Sequence, residues 1–334
     1  MKKSIFFAPL ALSALVACDT PNAMGEANSL IIIAADSLWQ DVEQATYDVL
    51  EPTIFTVRDE KQYVVTAVPF DDPAIIDLSL FQNVLVFGGP DDPALQQVAD
   101  AGGFVLSTME PGRVFQVEDV WARNQIVTGV YLRRRFEVDT WIKALPSVLA
   151  AVDESYRSWV RNRMFATPPD TALAADLERR FGFSMLVPTV YDHVVRDLGG
   201  GDSLVIIRND NPDPSVLIRS VLVHWRPPVD SLTADLALEW RASLDDEQYN
   251  VAQGISTENS SVTQFMVDGR PALEVTGVWH DERGDFPAAG PFVAWLVDCP
   301  SRTYFIDAWL YAPNEEKYQY MLQLQEILGS FSCS

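Results

Sequence analysis

The chain has 334 residues and a formal net charge of −23, with 24 Lys and Arg residues against 47 Asp and Glu residues. This acidity opposes nonspecific binding to polyanions, and the composition lacks the basic surface that nucleic-acid-binding proteins need. We therefore expect no nucleic-acid partner. The length is sufficient for two domains.

The N-terminus has the organisation of a bacterial export signal. Lys2 and Lys3 precede an apolar segment, residues 5–16, that is too short to span a membrane. The segment ends in Leu15-Val16-Ala17-Cys18, which resembles a bacterial lipobox. Residues 1–17 are therefore predicted to be a lipoprotein signal peptide. Cys18 is then the first mature residue and carries the lipid that holds the protein on a membrane. The alternative is an ordinary signal peptide cut after Ala17.

Residues 18–28 are predicted to be a polar tether, and no later window is apolar enough for a membrane-spanning helix. We expect the protein in the cell envelope, anchored to a membrane and facing the periplasm or the exterior. The choice between inner and outer membrane stays open. In an oxidising compartment Cys299 and Cys333 are expected to form a disulfide, and two unpaired thiols are the alternative.

Residues 29–165 are predicted to form an N-terminal α+β domain. An apolar strand over residues 29–35 precedes a helix from Asp36 to about Leu50. A long helix over about residues 138–165 ends the domain, and Pro146 is expected to kink or split it. Between these helices the pattern predicts strands at 54–57, 62–68, 83–87, 104–107, 114–122 and 125–132, and a short helix at 93–101.

Residues 166–334 are predicted to form a C-terminal domain of antiparallel sheet and helices. Asn314 is expected to cap the last helix, which Gly329 ends, and Asp268-Gly269 is a hairpin turn. The pattern predicts strands at 183–187, 203–208, 215–225, 261–267, 272–279, 292–299 and 303–312, helices at 172–181 and 230–249, and a helical turn at 191–197. The fold class is α+β, with two α/β halves whose mainly antiparallel sheets are covered by helices.

The sequence contains none of the common catalytic or nucleotide-binding motifs, so no cofactor is expected. One polar cluster, His280-Asp281-Glu282 with Asp285 nearby, lies at a predicted strand end. It either performs acid/base or metal chemistry or is simply solvated. Asp298 lies in an otherwise apolar predicted strand and needs a partner if it is buried, for which Lys317 is the candidate. A structural role is expected for this pair more than a catalytic one.

One basic run is followed by further arginines on the next predicted helix. These residues either face anionic headgroups or pair with nearby carboxylates. They are Arg133, Arg134, Arg135, Arg157, Arg161 and Arg163.

The end of the chain carries a set of short motifs that together resemble a known family. They are Gly277-Val278-Trp279, Ala289-Gly290-Pro291-Phe292, Asp298, Tyr311-Ala312-Pro313, Lys317, Tyr320-Met321-Leu322, Leu324, Ile327 and Leu328. These elements resemble an uncharacterised family of bacterial envelope lipoproteins, domain of unknown function 4837. A weaker match is Asp119-Val120-Trp121-Ala122 with Gln125, and residues 31–39 fit the opening of the family. The resemblance implies an envelope lipoprotein and supplies no mechanism.

The layout of the C-terminal half is also similar to the PsbP/Mog1-type α/β/α sandwich. Fold alone assigns no activity. The expected role is that of a lipid-anchored, non-catalytic envelope protein that binds or scaffolds an unknown envelope protein. The alternatives are an envelope hydrolase built on the polar cluster and a small-ligand carrier with a site between the two halves.

Overall fold

The computed structural model describes residues 20–134, 137–200, 202–244, 246–249, 252–284 and 287–333. Cys18 and Asp285 lie outside these ranges. The helices are α1 (Asp36–Leu50), α2 (Ile75–Leu78), α3 (Pro93–Gly102), α4 (Val138–Met164), α5 (Thr171–Phe181), α6 (Ala234–Ala242), α7 (Asp246–Tyr249) and α8 (Tyr318–Gly329). The strands are β1 (Ser29–Ile33), β2 (Thr53–Phe55), β3 (Asp59–Lys61), β4 (Val64–Val68), β5 (Asn83–Gly88), β6 (Val114–Glu118), β7 (Ile126–Tyr131), β8 (Phe183–Ser184), β9 (Asp192–Gly199), β10 (Asp202–Asn209), β11 (Ile218–Arg226), β12 (Gln253–Val267), β13 (Arg270–Asp281), β14 (Ala289–Asp298), β15 (Thr303–Tyr311) and β16 (Ser332–Cys333).

The chain divides into two compact units that differ from the predicted domains. The first comprises Met1–Gln40 and Thr66–Thr140, and the second comprises Asp41–Val65 and Trp141–Ser334. The sequence had predicted a boundary between residues 165 and 166. Residues 41–65 fall in the second unit because they bond to it. For example, the side chains of Gln62 and Tyr63 both donate to Asp153 of α4.

The first unit contains a five-stranded sheet in the order β4-β1-β5-β7-β6. Strand β5 pairs in parallel with β1 and with β7, whereas β6 and β7 are antiparallel. The parallel pairs correct the expectation of mainly antiparallel pairing in this half. Parallel neighbours need a crossover, and the connection from β5 to β7 contains α3. Asp92 caps α3 by accepting from the backbone N–H groups of Ala94 and Leu95.

The second unit contains a seven-stranded antiparallel sheet in the order β12-β13-β14-β15-β11-β10-β9. Each face of this sheet packs in its own hydrophobic core. One core includes Leu177 of α5 and Leu324 of α8, and the other includes Trp240 of α6 with Trp279 of β13. Helices therefore cover both faces, which confirms the predicted α+β class.

Cys299, just after β14, forms a disulfide with Cys333 of β16, and their Cα atoms lie 6.0 Å apart. The bond ties the end of a central strand to the end of the chain. Among the described residues, no helix combines the length and the apolar character that crossing a membrane requires.

Several local predictions were wrong for identifiable reasons. Helix α4 is not split at Pro146, because burial of Trp141, Leu145 and Val148 offsets the roughly 3 kcal/mol cost of an internal proline. Residues 192–199 are strand β9 instead of a helical turn, because their backbone pairs with β10. The helix predicted over residues 230–249 forms two pieces, α6 and α7.

Candidate functional site

Among the predicted hydrolase residues, Asp298 lies far from His280. His280 is exposed near the end of β13 and pairs with Ala289, at the start of β14. Asp298 ends β14 and pairs with Thr303. At about 3.3 Å per residue, the two ends of β14 are about 30 Å apart. His280 and Asp298 therefore cannot act on one substrate atom.

Asp281 and Glu282 take part in the backbone pairing around the β13–β14 connection. The N–H of Asp281 donates to the carbonyl of Ala288 at 2.9 Å, and that of Glu282 donates to Ala252 at 2.9 Å. The Asp281 carboxylate accepts from the backbone N–H of Arg283 at 3.1 Å. Among the described residues, no three His, Cys, Asp or Glu side chains are grouped closely enough to hold a metal ion.

Lys317 pairs with Glu60 rather than with Asp298, the partner suggested by the sequence. Its Nζ lies 3.6 Å from Glu60 Oε1, and these side chains are only 5% and 3% exposed. The other oxygen, Glu60 Oε2, accepts from the backbone N–H groups of Lys317 at 2.7 Å and Tyr318 at 3.2 Å. Glu60 thus occupies the N-terminus of α8, where a negative charge is stabilised, and the helix begins at Tyr318 instead of at Asn314.

A second buried ion pair, which sequence reasoning missed, joins α6 to the sheet. Arg241 Nε donates to Asp307 Oδ2 at 3.0 Å, and the two side chains are 1% and 0% exposed. The guanidinium lies over the rings of Phe292 at 4.3 Å and Tyr249 at 4.9 Å. Burial raises the pKa of the Asp307 carboxyl, and the guanidinium opposes that rise. The sequence does contain a signal for this pair, because Asp307 lies within an apolar strand, as Asp298 does.

His224 is fixed in one tautomer by its two neighbours. The indole N–H of Trp240 donates to His224 Nδ1 at 2.7 Å. An indole only donates, so Nδ1 accepts, and Nε2 carries the proton that faces Asp202 Oδ1 at 2.9 Å. Burial lowers the pKa of His224, although the Asp202 carboxylate partly offsets this. The neutral ring is therefore engaged in packing α6 against the sheet.

An open groove of about 720 Å³ lies in the second unit, and we call it the Trp295 groove. Sheet residues of β12, β13 and β14 and helix residues of α4 and α8 contribute to its lining. The lining residues are Arg157, Arg161, Phe165, Leu186, Thr263, Phe265, Glu274, Trp295, Gln325, Glu326, Gly329 and Ser330.

Two aromatic rings and a carboxylate define the sheet side of the groove. Phe265 and Trp295 pack edge to face, with ring centroids 4.8 Å apart. The Trp295 indole N–H donates to Glu274 Oε2 at 2.8 Å, which fixes the ring and satisfies its only donor. Trp295 is only 7% exposed and supports the partly exposed Phe265 from behind, so Phe265 is the aromatic ring that a ligand or protein partner can contact.

Two arginines of α4 form the opposite rim. Arg161 Nη1 makes a short contact of 2.8 Å with Glu326 Oε2. Arg157 is held less tightly, since it reaches Glu326 Oε1 and Gln325 Oε1 at 3.5 Å each. The Arg157 and Arg161 side chains are 38% and 44% exposed, whereas that of Glu326 is 13% exposed. Arg161 also lies 3.4 Å from Oε1 of Glu154, whose side chain is 73% exposed. Arg157 is therefore the arginine of this rim that is held less tightly by carboxylates.

A family model described as "Domain of unknown function (DUF4837)" matches residues 170–330. The match confirms the family resemblance for this part of the chain. It includes the strands and α8 residues of the Trp295 groove but not Asp119-Val120-Trp121-Ala122 or the arginines of α4. No curated protein sequence matches the chain.

Several solved structures match part of the chain at low identity and with low TM-scores. A crystal structure from Bacteroides thetaiotaomicron is 10% identical over 46% of this chain, which spans only 45% of that protein, with a TM-score of 0.27. Cyanobacterial PsbP from Synechocystis is 13% identical over 46% of this chain and 87% of its own, with a TM-score of 0.30. The Saccharomyces cerevisiae Ran-binding protein Mog1p is 15% identical over 46% of this chain and 90% of its own, with a TM-score of 0.29. These similarities carry no functional inference for this chain.

Proposed function

We propose that the protein is a lipid-anchored component of the cell envelope that binds a partner polypeptide through the Trp295 groove. The observation that carries this proposal is the groove itself, a cavity of about 720 Å³ with Phe265 and Trp295 on one side and Arg157 and Arg161 on the other. Preformed aromatic surfaces flanked by arginine are typical of binding hot spots.

A binding role suits the chemistry of the buried ionisable groups. Arg241 and Asp307 neutralise each other, Glu60 and Lys317 do the same, and His224 is hydrogen-bonded on both ring nitrogens. Arg241, Asp307 and His224 join α6 to the seven-stranded sheet, whereas Glu60 and Lys317 join β3 to the start of α8. For the alternative of an envelope hydrolase, Asp298 lies at the other end of β14 from His280 and therefore does not join the cluster of His280, Asp281 and Glu282.

The anchor is proposed from the sequence. Lipid on Cys18 would hold the folded units at a membrane surface without a spanning helix. The prediction of a free tether over residues 18–28 is wrong in part, because the backbone N–H groups of Ala23 and Met24 donate to the carbonyls of Arg123 and Leu80. Cys18→Ala is expected to move the protein from the membrane fraction to the soluble fraction and to remove lipid mass from the N-terminal peptide. Unchanged fractionation together with an N-terminal peptide free of lipid would refute the anchor.

Groove-dependent capture tests the binding role. The anchored protein is crosslinked in its native membranes and isolated, in parallel with Phe265→Ala and Val194→Ala. Val194 is a matched control because it is a 45% exposed apolar residue on β9, the other edge of the same sheet. We expect a captured polypeptide that is lost with Phe265→Ala and retained with Val194→Ala. Capture that is the same for all three proteins, or no capture at all, contradicts the proposal.

A further inference from the structure

Strand β12 forms one edge of the seven-stranded sheet, where its hydrogen-bonded neighbour is β13. Their register is interrupted between Ser256 and Ser261 and is continuous from there to Val267. We call Ser261–Val267 the β12 edge segment. The backbone of an edge strand directs alternate N–H and C=O groups away from the sheet, where another extended chain can pair with them.

The β12 edge segment lacks the usual protection of an edge strand. Its sequence, SVTQFMV, contains no charged residue, no proline and no glycine. Val262 is 52% exposed and Met266 is 60% exposed. Natural edges are commonly blocked by lysine, proline or bulges, and the irregularity between Ser256 and Ser261 precedes this segment instead of interrupting it.

Two cavities lie beside this segment. Thr263 and Phe265 line the Trp295 groove. Gln264 and Met266, on the other face of the strand, line a second cavity of about 390 Å³ together with apolar residues that include Leu273, and we call it the Met266 cavity. Phe265 lines both cavities. Because side chains alternate between the faces of a strand, a strand added to β12 would direct successive side chains towards one cavity and then the other.

The positive charge of Arg157 in the Trp295 groove indicates which side chain an added strand places there. The Arg157 guanidinium is 38% exposed, and its contacts with Glu326 and Gln325 are both as long as 3.5 Å. An arginine in this state retains donors for a carboxylate, which it binds with paired, charge-assisted hydrogen bonds. A carboxylate on the groove side of the added strand therefore complements Arg157.

We propose that the β12 edge segment receives an extended segment of the partner polypeptide as an additional strand, with a carboxylate side chain bound to Arg157 and apolar side chains facing the Met266 cavity. This inference rests on the proposed function and specifies how the partner binds. The strand's backbone supplies hydrogen bonds to β12, and the two cavities select its side chains.

A second copy of the chain fits this edge poorly. Each copy has a formal charge of −23, so two copies repel each other. Residues 261–267 contain no Asp or Glu, so pairing of two edge segments offers no carboxylate to Arg157. The partner is therefore a different polypeptide.

The test uses peptides selected from a random phage-displayed library on the full-length lipidated protein in detergent micelles. The tightest peptide is synthesised with a fluorophore, and its affinity is measured by anisotropy. We expect a conserved Asp or Glu among the selected peptides. Arg157→Gln is expected to weaken binding about 10-fold or more, as befits a hydrogen bond to a charged group. Arg163→Gln, an exposed arginine of the same helix that does not line the groove, is expected to change it less than about twofold.

Backbone methylation of the peptide separates strand addition from other binding modes. In an added strand, alternate residues direct their N–H groups towards β12. N-methylation of those residues is expected to weaken binding at least about fivefold, whereas N-methylation of the intervening residues is expected to have little effect. Val262→Lys is expected to weaken binding, and the matched Val194→Lys is not.

Three results overturn the inference. Binding that depends on Phe265 but tolerates N-methylation at every position refutes strand addition and leaves the proposed function standing. Failure to select any peptide whose binding depends on Phe265 or Arg157 contradicts both proposals. A dimer in light scattering that Val262→Lys dissociates and Val194→Lys does not assigns the edge to a second copy.

Discussion

Replacing Arg241 by methionine tests the buried ion pair that fixes α6 to the sheet. Arg241 Nε lies 3.0 Å from Asp307 Oδ2, and both side chains are at most 1% exposed. Methionine retains an unbranched apolar chain against Phe292, over which the guanidinium lies at 4.3 Å. The substitution therefore removes the charge and leaves Asp307 buried without its counter-ion.

The expected loss is large because the remaining charge stays out of water. Removing one partner of a buried ion pair costs about 3–5 kcal/mol, whereas replacing both partners by apolar residues is often neutral or stabilising. We expect Arg241→Met to lose about 3–5 kcal/mol of unfolding free energy. The double variant Arg241→Met/Asp307→Leu is expected to lie within about 1 kcal/mol of the wild type.

The unfolding free energy that Arg241→Met loses also depends on pH. Burial raises the pKa of Asp307 above its ordinary value of 3.8, and the Arg241 guanidinium opposes the rise, so its removal raises the pKa further. A carboxyl whose pKa is raised by folding contributes stability that is present below its unfolded pKa and is lost as the pH rises through the folded pKa. The cost of Arg241→Met is therefore expected to increase as the pH rises through the folded pKa of Asp307 in the wild type, which lies above 3.8.

Urea unfolding followed by tryptophan fluorescence at about pH 5 and pH 7.5 measures both effects. Arg226→Met is the control, because Arg226 lies over the Trp240 ring at 4.4 Å but is only partly buried. It is expected to cost less than about 1 kcal/mol. A loss below about 1 kcal/mol for Arg241→Met, or a double variant as unstable as the single one, would refute the reasoning.

Three further variants test the other buried contacts. Burial depresses the pKa of His224, so stability is expected to be lost as the pH falls below 6.5, and His224→Gln is expected to flatten this slope in urea titrations. Glu60→Ala leaves Lys317 buried without its carboxylate and is expected to cost about 3–5 kcal/mol in the same assay, so a change below about 1 kcal/mol would contradict the pairing. Cys333→Ser opens a disulfide between residues 34 positions apart, with an expected cost of about 3–4 kcal/mol, and an unchanged urea midpoint would show that the bond contributes nothing.

The sheet of the second unit was predictable where the sequence alternates strongly. The strands predicted over residues 272–279, 292–299 and 303–312 correspond to β13, β14 and β15. Asp268 and Gly269 have positive φ angles of 50° and 74°, as the predicted hairpin turn requires. Aromatic and branched side chains on both faces of these strands leave few alternatives to a buried sheet.

The charged partners were not predictable, because they come from distant parts of the chain. Lys317 meets Glu60, a residue 257 positions earlier, and Arg241 meets Asp307 on another element. A local pattern shows that a charge in an apolar strand needs a partner. It does not show which of many carboxylates or guanidinium groups the fold brings to it.

The Trp295 groove was missed for the same reason. Glu274 and Trp295 are paired across β13 and β14, whereas Arg157 and Glu326 come from two helices. No motif links these residues in sequence. The sequence offered one signal, the arginines near the end of α4. Pairing of these arginines with carboxylates was one of the two predicted outcomes, and Glu326 pairs with both Arg157 and Arg161.

Site-specific photo-crosslinking tests the central claim most directly. Benzoylphenylalanine is placed at Val262 on β12 or, as the control, at Val194 on β9, in the full-length protein in its native membranes. If a partner strand pairs with the β12 edge segment beside the Trp295 groove, we expect one discrete crosslinked polypeptide from position 262 and none from position 194. The same products from both positions, no product from position 262, or a product with twice the mass of the chain would contradict it.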